Sequence, residues 1–465
     1  MKIHVTLVNP PYPIGSHLHP PFLPLGLGYL AAVLEKNNYE VDVVDCQALR
    51  ISYDEVRSEL SKRQPTVVGV TSTTLTYKSA LQIIKIVKEV CPNSIAMLGG
   101  SHVTFWDDHA LEECPELDIA VRKEGEFTML ELVQKIEADK SFGDVLGITY
   151  RKDGEIVRNP DRPYIEDLDA LPFPALHLWP IDRLRQYGEV IFPLTTSRGC
   201  VFWCNFCTAV RMFGRKYRMR SPKNVVDEME LRNKKFGADH FTFYDDAFTV
   251  DPARAEEICQ EILNRNMKIR WNCETRVDMV TKELLAKMKK AGCTDVWFGV
   301  ESGSQSVLAA MDKGILIEQT VKAFKWAREV GLMTVANVIL GFPTETRETA
   351  WKTVKFVESL NPDDVGYYIA TPYPGTPMYE QVKENGSLKI TDFDKYDTAT
   401  PTFEIPNLSA EELRDIREQA FHRLYLRPSY FFKVLIKGGV YGSASKRLVL
   451  AHLRRSVKSK LGMDK

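Results

Sequence analysis

Three cysteines fall within eight residues of this 465-residue chain, at Cys200, Cys204 and Cys207. Their spacing is Cys-x3-Cys-x2-Cys, and thiolates are soft ligands that suit iron–sulfur clusters and zinc. Structural zinc sites use four ligands, often in two Cys-x-x-Cys pairs, but no second pair is present here. Three ligands on a loop after a predicted strand favour a four-iron cluster with one iron open to a substrate or cofactor. The alternatives are three cysteines that pack together by chance and a zinc ion that is also held by a distant histidine.

The composition indicates a globular protein of the cytoplasm. Hydrophobic residues make up 44% and charged residues 26%, which excludes collagen-like, coiled-coil and disordered classes. The formal net charge of −1 points to no nucleic-acid partner. No run of about 18 apolar residues predicts a membrane-spanning helix, and Pro10 interrupts the start of the chain too soon for a signal peptide. Nine cysteines, six of them scattered, do not suggest a secreted disulfide framework.

Short apolar runs separated by amphipathic stretches fill the first 150 residues. Strands that are almost continuously apolar and alternate with helices predict a parallel sheet covered on both faces. We therefore expect residues 1–150 to form an α/β, doubly wound (Rossmann-like) domain, which would bind ligands at the carboxyl ends of its strands. The predicted strands are Ile3–Val8, Val41–Asp45, Val67–Thr71, Ile95–Leu98 and Ile119–Val121.

Three further regions follow. Residues 151–190 carry turn signals and closely spaced prolines, so we expect a linker that runs over the surface. Residues 191–385 contain six strand–helix units, fewer than a closed barrel has, and predict a partial (β/α)6 TIM-type barrel with its chemistry where the strands end. Residues 386–465 are predicted to be helical, with a basic tail. The predicted barrel strands are Ile191–Thr196, His240–Tyr244, Lys268–Cys273, Val296–Val300, Val335–Leu340 and Val365–Ala370.

The cysteine spacing resembles that of the radical S-adenosylmethionine (SAM) superfamily. Phe206 stands directly before the last cysteine, where the family usually has an aromatic residue near the adenine. The similarity continues, in the order of the family, through five segments at the ends of predicted strands: Tyr244–Phe248, Asn272–Arg276, Gly299–Ser304, Asn337–Glu345 and Thr371–Pro377. Asn337 departs from the family, which often has glycine at that position.

This resemblance implies that Cys200, Cys204 and Cys207 hold a [4Fe-4S] cluster and that SAM binds its open iron. The alternative for Asp245 and Asp246 is that they end a strand and cap the next helix, and the alternative for Glu301 is likewise a helix cap. The alternative for Arg276 is an ion pair with a carboxylate on the surface. The residues that the resemblance assigns to SAM are Phe206, Asp245, Asp246, Arg276, Glu301, Ser302, Asn337, Ile339 and Gly341.

The N-terminal region resembles the cobalamin-binding domain of class B radical SAM enzymes, the group that includes anaerobic magnesium-protoporphyrin monomethyl ester cyclase. The similar segments include Asn9–Tyr12, Gly99–Thr104 and Val121–Glu126. The Asp-x-His-x-x-Gly motif that supplies a histidine to cobalt in other cobalamin proteins is absent, so a domain that has lost the cofactor is the alternative. The residues that the resemblance assigns to cobalamin are Asn9, Pro10, Gly69, Ser72, Thr73, Gly99, Gly100 and Glu124.

The end of the chain is strongly basic. From Tyr430 onward nine lysines and arginines stand against the single acid Asp464. Over residues 447–458 apolar and basic positions alternate at helical spacing, which is typical of a helix that lies on an anionic membrane surface. The alternative is a solvated terminal helix that caps the barrel. Peripheral membrane contact would favour a lipid substrate.

These patterns predict an enzyme that cleaves SAM to a 5′-deoxyadenosyl radical and functionalises an unactivated carbon. We expect C-methylation of a lipid, isoprenoid or other small natural product, with cobalamin as the methyl carrier. A non-methylating cyclase or C–C or C–O bond-forming enzyme, acting on a lipid or tetrapyrrole, is the second expectation. A cluster-bearing sensor without turnover and a zinc-stabilised scaffold are the remaining alternatives. We expect a flavodoxin or ferredoxin as electron donor, and the sequence singles out no catalytic side chain.

Overall fold

A computed structural model describes residues 3–13, 23–186, 188–425, 427 and 430. The basic tail predicted to be helical lies outside these residues. Within them, every helix is too short or too polar to traverse a lipid bilayer.

The N-terminal region forms a seven-stranded sheet with the spatial order β2-β1-β3-β4-β5-β6-β7. Its first five strands are parallel, as predicted. The strand order reverses between β1 and β3, and the crevice at such a switch point is where doubly wound sheets bind ligands. The strands are β1 (His4–Asn9), β2 (Glu40–Asp45), β3 (Val67–Thr71), β4 (Ile95–Gly99), β5 (Ile119–Val121), β6 (Ile148–Lys152) and β7 (Glu155–Arg158).

Helices cover this sheet because their apolar side chains recur at helical spacing. In the fourth helix, Ala80, Ile83, Ile84 and Val87 are fully buried. The helices are α1 (Leu25–Lys36), α2 (Cys46–Leu49), α3 (Tyr53–Arg63), α4 (Tyr77–Val90), α5 (Asp107–Glu113) and α6 (Glu126–Glu137).

The segment expected to be a surface linker is instead structured. Its Asp153-Gly154 turn signal closes a hairpin, in which both residues have positive φ and β7 pairs antiparallel with β6. The proline-rich part that follows is also packed, because its irregularly spaced apolar side chains are buried. These include Ile165, Leu168, Leu171, Leu176 and Trp179, and the helix α7 (Ile181–Arg185) ends the segment.

Six parallel strands form the second sheet, in the order β15-β14-β13-β12-β11-β8. This agrees with the predicted partial barrel, and each strand overlaps a predicted one. The strands are β8 (Phe192–Leu194), β11 (His240–Phe243), β12 (Arg270–Thr275), β13 (Cys293–Glu301), β14 (Met333–Leu340) and β15 (Asp364–Ile369).

Helices on the outside of this sheet begin at residues that cap their free backbone N–H groups. Ser221 and Asp251 each accept such a hydrogen bond and are followed by proline at the first helical position. The helices of the barrel and C-terminal region are α8 (Ala209–Phe213), α9 (Pro222–Phe236), α10 (Pro252–Asn264), α11 (Lys282–Lys290), α12 (Gln305–Ala310), α13 (Ile317–Glu329), α14 (Arg347–Leu360), α15 (Pro377–Glu384) and α16 (Ala410–Tyr425).

A short antiparallel ladder closes the loop that carries the three cysteines. Its strands β9 (Ser197–Arg198) and β10 (Arg218–Met219) place Arg198 opposite Arg218. The ladder therefore fixes both ends of the cysteine loop next to the carboxyl end of β8.

Candidate active site

A cavity of about 440 Å³ opens at the carboxyl ends of the barrel strands. Its wall combines the cysteine loop with residues from β12, β13, β14 and β15. Six of the residues that sequence analysis assigned to SAM line it: Phe206, Asp246, Arg276, Glu301, Asn337 and Ile339.

The three cysteines line this cavity together, and each is a free thiol. Burial raises the pKa of all three thiols, that of Cys207 to about 12. The positive charges of Lys313 and Arg276 oppose this effect at Cys204 and favour its thiolate. Among the described residues, no three His, Cys, Asp or Glu side chains surround a point where a single metal ion would fit. Three unpaired thiols that meet at one cavity beside two cations form a donor set suited to an iron–sulfur cluster.

Arg276 is buried and held in a fixed position. Its guanidinium donates two hydrogen bonds of 2.9 Å to the carboxylate of Asp278, and it lies 3.6 Å from the centre of the Phe202 ring. One Nη is 4.0 Å from Sγ of Cys204. Arg276 thus places a positive charge beside a cysteine of the loop, and it is not the surface ion pair that the alternative described.

Glu301 forms a buried ion pair with Lys313, whose Nζ lies 2.6 Å from the carboxylate. Glu301 has a positive φ of 57° at an irregularity in the pairing of β13 with β14, a conformation uncommon for residues other than glycine. A Cβ on Gly299 would lie 2.6 Å from the Glu301 carboxylate and 2.7 Å from Nζ of Lys313, so any larger residue would displace the ends of these two side chains. Lys313 was missed from sequence because it lies on a loop after α12 and has no periodic or motif signal.

Two carboxyl groups line the cavity without a cation that neutralises them within ion-pair distance in the described part of the chain: Asp246, whose side chain is exposed to the cavity, and Glu274, which is half-buried. Desolvation by the surrounding cavity wall, followed by the negative charge of Asp245, raises the pKa of Asp246 to about 6. Burial, followed by the negative charge of Asp246, raises the pKa of Glu274 to about 7. The cavity therefore presents acceptors suited to hydroxyl or ammonium groups.

Three residues assigned to SAM from sequence do not line the cavity. Asp245 is turned toward the end of β8, where it accepts hydrogen bonds from the backbone N–H groups of Thr196 (2.6 Å) and Ser197 (3.1 Å). The buried Ser302 hydroxyl bonds to Thr353 at 3.0 Å. Gly341 packs against Leu413 of α16. All three follow the ends of barrel strands and contact neighbouring elements of the chain.

A second cavity, of about 410 Å³, lies at the switch point of the first sheet. Its wall is mostly apolar, with Leu7, Leu27, Val70, Met97 and Val121 from the N-terminal domain and Met212 and Phe213 from the cysteine loop. Asp246 lines this cavity as well as the first. The two cavities thus share a wall at the end of β11.

Half of the residues assigned to cobalamin line this second cavity: Gly69, Gly99, Gly100 and Glu124. A Cβ on Gly100, whose φ is +105°, would collide with the backbone of Ser72, so that close approach requires glycine. Asn9, Pro10, Ser72 and Thr73 lie outside the wall. Asn9 donates to Asp45 at 2.8 Å, the Pro10 carbonyl accepts from Gln47, and the hydroxyls of Ser72 and Thr73 bond to Gly99 and Thr76.

A parallel partial barrel with a three-cysteine loop, joined to a doubly wound domain, defines a class of cofactor-dependent α/β enzymes. The model of the radical SAM superfamily matches residues 194–357, and that of the B12 binding domain matches residues 13–133. An uncharacterized methyltransferase of Pyrococcus horikoshii is 34% identical over 93% of this chain and 93% of its own length. An anaerobic magnesium-protoporphyrin IX monomethyl ester cyclase of Rubrivivax gelatinosus is 32% identical over 92% of this chain and 78% of its own length.

A solved structure of the cobalamin-dependent SAM radical enzyme OxsB, with aqua-cobalamin and SAM bound, has the same fold. Its TM-score is 0.77 at 20% identity, and the match covers 98% of this chain and 71% of that chain. The chain belongs to the radical SAM superfamily, among the members that carry an N-terminal B12-binding domain. Radical SAM membership implies a [4Fe-4S] cluster and SAM, and the B12 binding domain implies cobalamin. The fold class, the family and these cofactors are therefore confirmed as predicted from sequence.

Proposed function

We propose that this chain is a cobalamin-dependent radical SAM methylase that acts on an unactivated carbon of a small molecule. The observation that carries the proposal is that Asp246 lines both cavities. A substrate that reaches this shared wall would be accessible from both cofactors. The name of the Pyrococcus horikoshii relative, a methyltransferase, supports the same reaction class.

The residues of the chain would divide the work between the two cavities. Cys200, Cys204 and Cys207 would bind the cluster, and Arg276 would add positive charge beside it. The charges of Glu301 and Lys313 complement the ammonium and carboxylate groups of the methionine part of SAM. When bound, the cluster and SAM supply the 5′-deoxyadenosyl radical that removes a hydrogen atom from the substrate, and cobalamin supplies the methyl group. The mostly apolar wall of the second cavity would keep water away from the reacting carbon.

The test uses anaerobically purified, cluster-reconstituted protein, with and without added hydroxocobalamin. We expect about four irons per chain for a [4Fe-4S] cluster and retained cobalt. The variant with all three loop cysteines changed to alanine should lose the iron, whereas Cys46→Ala, at a buried cysteine of the N-terminal domain, should keep it. Zinc without iron would contradict the proposal. With a reductant and substrate, a methylase should release both S-adenosylhomocysteine and 5′-deoxyadenosine.

The second candidate is a non-methylating cyclase or bond-forming enzyme. The 32% identity to the anaerobic magnesium-protoporphyrin IX monomethyl ester cyclase of Rubrivivax gelatinosus favours it. Such an enzyme would release 5′-deoxyadenosine without S-adenosylhomocysteine, so the ratio of the two products separates the candidates.

We further propose that the basic tail after Tyr430 contacts anionic membranes. Its excess of lysine and arginine is the supporting observation. Co-sedimentation of the full chain with vesicles of phosphatidylserine and phosphatidylcholine, compared with vesicles of phosphatidylcholine alone, tests this contact. Equal sedimentation with both would contradict it.

A further inference from the structure

A small surface patch surrounds Trp203 on the loop that carries the three cysteines. Trp203 is 45% exposed, although it directly precedes the buried Cys204. Two guanidinium groups lie over its ring, that of Arg211 at 5.2 Å and that of Arg215 at 4.9 Å from the ring centre. Val201, two residues earlier in the sequence, is 40% exposed. We call Val201, Trp203, Arg211 and Arg215 the cluster-loop patch.

The patch carries positive charge that the described part of the chain does not neutralise. Lys216 next to it is paired with Glu166. Neither Arg211 nor Arg215 has a carboxylate within ion-pair distance among the described residues, whereas most other arginines of the barrel domain do. This local charge contrasts with the formal net charge of −1 of the whole chain.

The composition of the patch is that of an interaction surface. Tryptophan and arginine are the residues most enriched where interfaces gain their binding energy. The stacked guanidinium groups hold the exposed ring in place, so little side-chain entropy would be lost on contact. Packing of the fold does not explain Arg215, which is exposed and whose contact in this structure is the face of Trp203.

We propose that the cluster-loop patch is the docking surface for a small, acidic one-electron carrier protein of the flavodoxin or ferredoxin kind. The inference rests on the proposed function, because it presumes a cluster held by the loop cysteines. One electron leaves the reduced carrier and enters the cluster, and no bond is formed or broken. Trp203 directly precedes Cys204 in the chain, so a carrier seated on the patch would contact the loop that holds the three cysteines. Transient redox encounters bury less than about 1,200 Å² in total, so we expect the cluster-loop patch to form the centre of a small contact.

The test compares Arg215→Glu with Arg215→Lys, which keeps the charge, in full-length, cluster-reconstituted protein. Lys322→Glu is the matched control, because Lys322 also stacks on a tryptophan, Trp326, at 4.6 Å, but on the outer helix α13. Two readouts are needed: the affinity for a reduced bacterial flavodoxin at low salt, and the rate at which the flavodoxin bleaches the visible absorbance of the cluster. A parallel series uses dithionite, which needs no docking surface.

We expect Arg215→Glu to weaken flavodoxin binding and slow bleaching about tenfold, because it replaces attraction with like-charge repulsion. The salt dependence of the rate should also flatten. Arg215→Lys and Lys322→Glu should behave like the wild type, and all variants should be reduced equally by dithionite. Unchanged flavodoxin rates in Arg215→Glu would overturn the proposal, as would an equal loss with dithionite, which would make Arg215 a residue that only holds the loop. Bleaching of the cluster absorbance is measured without SAM, so it does not depend on SAM cleavage. A failure to form 5′-deoxyadenosine in a separate assay would therefore contradict the proposed function and leave the docking proposal unaffected.

Discussion

Glu124 and Arg218 form a buried ion pair that joins the N-terminal domain to the cysteine loop. Nη1 of Arg218 lies 2.8 and 2.9 Å from the two carboxylate oxygens, and Arg198 donates to the same carboxylate at 3.0 Å. Because Arg198 and Arg218 are opposite each other in the β9–β10 ladder, one carboxylate holds both ends of the cysteine loop. Glu124, assigned to cobalamin from sequence, is thus a residue that fixes the cluster loop relative to the second cavity.

Glu124→Gln should therefore destabilise the chain strongly. The substitution removes the negative charge that Arg198 and Arg218 share, and both arginines are buried. Breaking a buried ion pair by removing one partner costs about 3–5 kcal/mol of folding stability. Urea unfolding of the cluster-free chain measures the loss. Asp144→Asn is the matched control, because Asp144 pairs with Lys135 at 2.6 Å but is 70% exposed, and such pairs contribute less than about 1 kcal/mol. Equal effects of the two substitutions would contradict the role assigned to Glu124.

The adjacent residues Asp245 and Asp246 should respond oppositely to the same substitution. Asp245→Asn should lower stability by about 1–3 kcal/mol, since it disturbs three hydrogen bonds to Thr196 and Ser197. Asp246→Asn should leave stability unchanged or higher, because desolvation at the cavity wall already raises the pKa of this carboxyl and disfavours its charged form. It should, however, reduce 5′-deoxyadenosine and product formation by about 10²-fold if the substrate is oriented at the shared wall.

Unfolding midpoints and product formation, measured on the same preparations with verified iron content, separate these effects. A loss of stability in Asp246→Asn as large as that in Asp245→Asn would contradict the distinction. Normal turnover in Asp246→Asn would remove this residue from the proposed site.

Much of the fold could be predicted from the sequence because the signals are local. Apolar runs of strand length alternate with amphipathic helices. This alternation was sufficient to predict the positions of the first five parallel strands and of all six strands of the barrel. The spacing of the three cysteines is likewise a local signal. The packing of residues 161–186 was missed because Leu171, Leu176 and Trp179 are buried without any period, between prolines that are typical of loops.

The candidate site was predicted less completely, because side-chain direction at the end of a strand depends on neighbours distant in the sequence. Alternation predicts that Asp245 and Asp246 point to opposite sides, but only the position of Thr196 shows which of them faces the cavities. The pairing of Glu301 with Lys313 depends on the course of the chain through α12. Domain contacts are equally non-local, and they account for the ion pairs of Glu124 with Arg198 and Arg218, which no sequence pattern indicated.

Gly299→Ala tests the Glu301–Lys313 pair as part of the SAM site. A methyl group there would lie within 2.7 Å of both charged groups, so the ends of both side chains would have to move. We expect the dissociation constant for SAM to rise about tenfold in cluster-loaded protein, which corresponds to 1.4 kcal/mol. Equilibrium dialysis measures it. Gly143→Ala is the control, since its Cβ would be 3.6 Å from Ser141 Oγ, an ordinary contact. Unchanged SAM affinity in Gly299→Ala would mean that the Glu301–Lys313 ion pair is not part of the SAM site.

Asp364, at the start of β15, should make stability depend on pH. Burial raises its pKa from 3.8 to about 6, although the Tyr425 hydroxyl and the Val365 N–H donate to it at 2.9 and 2.8 Å. Because the folded state then binds the proton more tightly than the unfolded state, this group stabilises the fold below about pH 4. That contribution is lost as the pH rises to about 6, with a total of up to about 3 kcal/mol.

Asp364→Asn removes the titration and keeps a side-chain acceptor for the tyrosine. Relative to the wild type, the variant should therefore gain stability between pH 4 and pH 6 and keep a constant difference above that range. Urea unfolding of the cluster-free chain at half-unit pH intervals measures the difference. Asp182→Asn, at a side chain that is 96% exposed, should show no such trend. A constant difference between Asp364→Asn and the wild type over the whole range would mean that the Asp364 carboxyl titrates alike in the folded and unfolded chain.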